Sequence, residues 1–207
     1  PKKNTILEIY SKSVNKETIT EVALDLFLKE GFNNVTVNQI CEHCDITKPT
    51  FYKYVNSKDD LILNLYDQTI SNILGDTYHL LQADSHFEQL LMIFNALIQE
   101  TKRFGSDLFS HMLIANLNEN KHSFDMRNSL TDLCVMIIKK SQEKNEIKNH
   151  TDPHILYETL AHLFTGYETV WCIEDGKTQW NKSFYQSLIA LLQVEDQFVD
   201  IYKKYID

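Results

Sequence analysis

The sequence predicts an all-α chain of nine or ten helices, and three observations carry that expectation. Glycine and proline together make up 8 of 207 residues, about 4% where roughly 12% is usual, so turns and helix breaks are few. Apolar side chains recur at helical spacing along almost the whole length, and no stretch reads as a credible strand. Capping residues stand at intervals that divide this pattern into helices of ordinary length.

Ile19, Val22, Ala23, Leu26 and Phe27 form the stripe of a first helix, which Gly31 stops, and Phe32 can fold back on its end. Thr36 with Gln39 is a capping box for a short second helix through about Cys44. A tight turn at Asp45-Ile46 leads to Thr47-Lys48-Pro49, a cap followed by an early proline, and so to a third helix ending near Val55. Asn56-Ser57 caps a helix expected to run to about Leu81. Ser85 with Glu88 opens another that stops at Gly105; Ser106 restarts the chain until polar residues 116–123 break it. A helix from about Phe124 to Glu143 follows. Asp152-Pro153 starts the next, with Leu156, Leu160, Leu163, Phe164, Tyr167 and Trp171 as its stripe and Gly176 as its stop. The last is expected to run from about Asn181 through Leu188, Leu192, Phe198 and Tyr202 to Tyr205.

The chain has 43% hydrophobic residues, enough for a real core, and lacks both a membrane-length apolar run and a signal-like N-terminus; the expectation is a cytoplasmic protein without a membrane partner. Four scattered cysteines suit reduced thiols better than a disulfide framework. The net charge of −9 argues against nucleic acid until its distribution is considered. Residues 1–58 hold 8 Lys against 7 acidic residues, whereas residues 59–207 carry −10, so only the first region suits a phosphate backbone. No nucleotide loop, nucleophile elbow or paired metal motif occurs, and the chain is not expected to be an enzyme. Cys41-Glu42-His43-Cys44 has no second ligand pair and reads as core thiols, so no metal or cofactor is expected.

Three short helices, the second and third joined by a tight turn, are the layout of a helix-turn-helix. Phe51 and Val55 can pack inward, leaving Lys48, Thr50, Tyr52, Lys53 and Tyr54 outward. From Ile19 to Leu65 the chain resembles the DNA-binding domain of the tetracycline-repressor (TetR) family of bacterial regulators. The likeness is carried by Leu26-Phe27, Gly31-Phe32, Thr36-Val37, Pro49-Thr50-Phe51-Tyr52-Lys53-Tyr54-Val55 and Ser57-Lys58-Asp59-Asp60-Leu61. One departure is Asp45, where the family usually has glycine.

The resemblance implies a helix-turn-helix head over 10–56 and an effector-binding and dimerisation domain over 57–207. It implies phosphate contacts from Thr36, Thr47, Tyr52, Tyr54 and Lys58, and base contacts from Lys48, Thr50 and Lys53 with Asn38 and Gln39, around the Pro49 turn of the third helix. It also implies an unidentified small-molecule effector near Phe94, Phe104, His111, Phe164, Tyr167 and Trp171. A homodimer is expected through the last two helices, with Leu163, Leu188 and Leu192 at the interface. Together these describe a repressor released from a palindromic double-stranded DNA operator by its effector, with the helix from Ser57 as the lever. Alternatives are a regulator acting through a protein partner, or a metal- or haem-responsive sensor built from some of the eight histidines. No arginine precedes Arg103, so the usual bidentate reader of guanine is missing from the head, and A·T-rich half-sites are expected.

Overall fold

The computed structural model describes residues 14–120 and 122–206. Among these are nine α-helices: α1 Lys16–Glu30, α2 Val37–His43, α3 Lys48–Tyr54, α4 Lys58–Gly75, α5 Thr77–Leu80, α6 His86–Asn118, α7 Asn128–Glu143, α8 Pro153–Ile173 and α9 Asn181–Leu192. Two 3-10 segments, Phe32–Asn34 and Val199–Tyr205, and one isolated antiparallel bridge between Ile147 and Val194 complete the described secondary structure, which contains no strand. The all-α expectation is met. The described residues form two compact units: those through Gln68 with those from Asp107 to Ser123, and those from Thr69 to Ser106 with those from Phe124 to Ile206. Residues 10–13 of the expected head lie outside the described residues.

In the first unit, local chemistry fixes each helix end. Asn15 Oδ1 accepts from the Thr18 N–H at 2.8 Å and caps α1. Gly31 stops that helix at φ 83°, a region that favours glycine, and its N–H donates to the Phe27 carbonyl at 2.9 Å. Phe32 then folds back, its ring 4.9 Å from that of Phe27. Ile19, Ala23, Ile40 and Phe51 have no exposed surface, and Val55 has 2%. Burying each of these larger side chains stabilises the unit by ~1.5–3 kcal/mol.

The second unit holds three departures from the expected elements. The long helix after Ser57 ends at Gly75, and the chain re-enters helix at Thr77 as the single turn α5. The helix expected from Phe124 begins only at Asn128. The final helix stops at Leu192 rather than near Tyr205, with Gln193 in the left-handed region at φ 52°. Its physical cause is tertiary. Lys148 N–H donates to the Gln193 carbonyl at 2.9 Å, Asn149 N–H to Leu192 at 3.2 Å, and the Asn149 side-chain amide to Leu191 at 2.8 Å. The carbonyls of the last turn are thus taken by the segment after α7, and no signal near residue 193 announces it.

Other boundaries agree with expectation. Ser85 Oγ caps α6 through the Glu88 N–H at 3.0 Å, and Asp152 caps α8 through the His154 N–H at 2.9 Å. Gly105 interrupts α6 at φ 77°, ψ 158°. The aromatic side chains of Phe94, Phe164, Tyr167, Trp180 and Phe184 pack ring on ring, with centroids 5.0 Å apart for Phe94–Phe184 and 5.4 Å for Phe164–Trp180.

Candidate nucleic-acid interface

The second and third helices of the first unit present the side chains that could meet a duplex. Thr36 and Gln39 close a reciprocal box: Gln39 N–H donates to Thr36 Oγ1 at 3.3 Å, and Thr36 N–H donates to Gln39 Oε1 at 2.8 Å. The Gln39 amide also donates to the Glu30 carboxylate at 3.1 Å. Both ends of this side chain are therefore occupied in capping and tethering, which leaves Asn38, exposed beside it, as the freer polar group on α2.

The turn that follows needs a left-handed residue, and Asp45 supplies it at φ 52°. Ile46 N–H returns to the Cys41 carbonyl at 3.0 Å, which ends α2 and aims the chain into α3. Thr47 caps α3 by accepting from the Thr50 N–H at 3.3 Å, and the two threonine hydroxyls share a hydrogen bond of 2.9 Å. Pro49 follows in the first turn, where its missing N–H costs nothing. Phe51 is buried and α3 is only seven residues long, so one face anchors the helix and the rest projects. Lys48, Tyr52, Lys53 and Tyr54 are all exposed, Tyr52 at 52%. Two ammonium groups and two phenols on one short protruding helix can supply both phosphate and base-edge contacts.

Lys58 is arranged otherwise. Its ammonium donates to the Phe32 carbonyl at 2.6 Å and the Val35 carbonyl at 3.0 Å, and stands 4.0 Å from the centre of the Phe32 ring. Burial pushes its pKa below the ordinary lysine value, with Asp59 opposing the shift. This lysine ties the start of α4 to the connection between α1 and α2, a contact that motif spacing alone could not reveal. Cys41 and Cys44 are buried, and burial raises both thiols, Cys44 to about 11. They are inert core thiols. Among the described residues no group of three or more His, Cys, Asp or Glu side chains is placed to hold a metal ion.

Outside this surface, the residues expected around an effector have the following surroundings. Phe94, Phe164 and Tyr167 belong to the packed ring cluster, whereas Trp171 lies against Gly176. Phe104 sits under Arg103 in the second unit. His111 belongs to the first unit, 5.0 Å from the Phe32 ring and 3.6 Å from Asp107. The residues expected at a dimer interface differ in exposure. Leu188 and Leu192 have no exposed surface within one chain, so they have none to offer a partner. Leu163 is half-buried, at the margin of an exposed stripe on α8 formed by Ile155, Gly166, Val170 and Ile173.

The geometry defines a class: a three-helix helix-turn-helix domain whose third helix projects from a small core. Residues 19–65 match the family described as "Bacterial regulatory proteins, tetR family". The chain is 40% identical over 64 residues to an uncharacterized HTH-type transcriptional regulator, YuxN, of Bacillus subtilis; the match covers 29% of this chain and 22% of that protein. Over most of the chain the fold resembles Thermus thermophilus FadR, a TetR-family repressor solved with lauroyl-CoA, with a TM-score of 0.69 and 24% identity over 86% of this chain and 93% of that one. Bacillus subtilis FadR, solved with stearoyl-CoA, gives a TM-score of 0.58 and 15% identity, covering 84% of this chain and 96% of that one. The family match is confined to residues 19–65, and it is this N-terminal domain that resembles the TetR family of bacterial regulatory proteins. No helix among the described residues is long and apolar enough to cross a membrane.

Proposed function

We propose that this protein is a homodimeric transcriptional repressor that binds a palindromic DNA operator through α3 and leaves it when a small-molecule effector binds the second unit. The observation that carries the reading is the exposed, basic and aromatic surface of α3, braced by the Thr36 and Thr47 caps within a matched family domain. Two heads read half-sites ~34–36 Å apart, one turn of duplex. An effector that prefers a different spacing of the heads shifts the population away from the bound state. The solved acyl-CoA complexes of similar fold support responsiveness to a ligand.

Dimerisation uses the exposed stripe of α8. Ile155, Val170 and Ile173 are 55%, 51% and 76% exposed, and Gly166 between them lets two backbones approach closely. Lys48, Thr50 and Lys53 meet base edges, with Asn38, while Thr36, Thr47, Tyr52 and Tyr54 meet phosphates. The test is duplex binding by the full chain, read by fluorescence anisotropy. Lys53→Ala is expected to cost ~1–3 kcal/mol on the best site and to relax preference at one base pair, leaving non-specific affinity nearly unchanged. A uniform loss on all sequences would make Lys53 a phosphate contact instead.

A further inference from the structure

We infer that a cleft between the end of α4, the turn α5 and the first half of α6 binds a small apolar molecule carrying a cationic amine. The inference rests on the proposed ligand responsiveness and gives it a site. The cleft has a volume of about 280 Å³, near the lower end of the roughly 300–1,000 Å³ typical of small-molecule sites. Ile73, Met92 and Ile93 give it an apolar wall, and all of its lining comes from the second unit.

Charge selects the occupant. Asp76 and Glu100 stand in the lining, and no lysine or arginine does. The Glu100 carboxylate is paired with Arg103 at 2.7 Å, and Asp76 faces His79 at 3.8 Å. The Asp76 side chain is 57% exposed. An ammonium beside Asp76 therefore finds a carboxylate that no lysine or arginine of the lining neutralises, while the alkyl body covers the apolar wall. A carboxylate or phosphate in the same place meets the Asp76 carboxylate and no lysine or arginine of the lining. The site lies against the last turns of α4, whose first turn follows α3 by three residues, so an occupant bears on the helix that leads out of the head.

Calorimetric titration of the full chain with n-octylammonium, and in parallel with octanoate, tests this. Octylammonium is expected to saturate a single site, and octanoate to bind far more weakly. Ala96→Trp, which fills the cleft from a half-exposed position, is expected to weaken the amine by more than about tenfold. Asp76→Asn, an exposed substitution that leaves the fold intact, is expected to weaken it about three- to fivefold. No saturable binding of octylammonium, equal binding of octanoate, or an affinity that neither variant changes would overturn the inference. Duplex binding by the same preparations, without either compound, reports separately on the regulator reading: a chain that binds DNA and ignores octylammonium loses only the amine site.

Discussion

Lys58 separates two uses of a cation at a helix N-terminus. Motif resemblance places it at a phosphate, whereas in the structure its ammonium donates to the Phe32 and Val35 carbonyls and stands over the Phe32 ring. Replacing it leaves two carbonyls without their donor, each worth on the order of 1 kcal/mol when partly exposed. Lys58→Met is therefore expected to lower stability by about 1–2 kcal/mol in urea titration. The salt dependence of duplex affinity is expected to keep its slope, because no phosphate contact is removed; a slope reduced by about one unit would assign Lys58 to a phosphate. Asp45 was legible in the sequence as a strained substitute for glycine, since its short polar side chain tolerates the φ of 52° found there. Gln39 was less so: its spacing announces a cap and its amide resembles a reader of adenine, and only packing shows that capping takes the whole group.

Helices were legible where local chemistry decides their ends. Gly31, the Thr36 box, Thr47 with Pro49 and Asp152 with Pro153 act within a few residues, so their effect is written in sequence. The end of α9 depends instead on residues 146–149, some forty positions earlier, and the apolar pattern through Phe198 and Tyr202 runs on past it. α8 carries a further feature that periodicity conceals, the buried Glu168. Thr101 Oγ1 lies 2.5 Å from Glu168 Oε1 and 3.1 Å from the Leu97 carbonyl. Thr101 Oγ1 is the donor towards both, its one hydroxyl proton shared between the Glu168 carboxyl and the Leu97 carbonyl. Burial raises this carboxyl to about 8, against a smaller lowering by the Thr101 hydrogen bond. A raised acid pKa means that the folded state keeps a proton the unfolded state has released. Stability from this group is full below about pH 4.5 and is lost as pH rises towards about 8, by up to ~1.4 kcal/mol per unit. Glu168→Gln is expected to flatten that fall, so that the variant gains on the wild type between pH 5 and 8 in thermal unfolding; parallel pH curves would place the titration elsewhere.

For the assembled protein, burial distinguishes two kinds of leucine and valine that a helical wheel treats alike. Leu192 is fully buried, so Leu192→Glu is expected to unfold the chain, because a charge would enter the core without a partner. Val170 is 51% exposed in one chain, and Val170→Glu is expected to leave the helical circular dichroism intact while sedimentation velocity shows a monomer. A dimer that survives Val170→Glu would move the interface off α8. The central claim is that two copies of α3, poor in guanine-reading arginine, recognise a palindrome. Selection of duplexes by the full chain from a random pool tests it most directly. The expected result is enrichment of A·T-rich inverted half-sites centred about one helical turn apart, 10–10.5 bp, with at most one or two essential guanines in each. Enrichment of no sequence, or of an unpaired site dominated by invariant guanines, would contradict it.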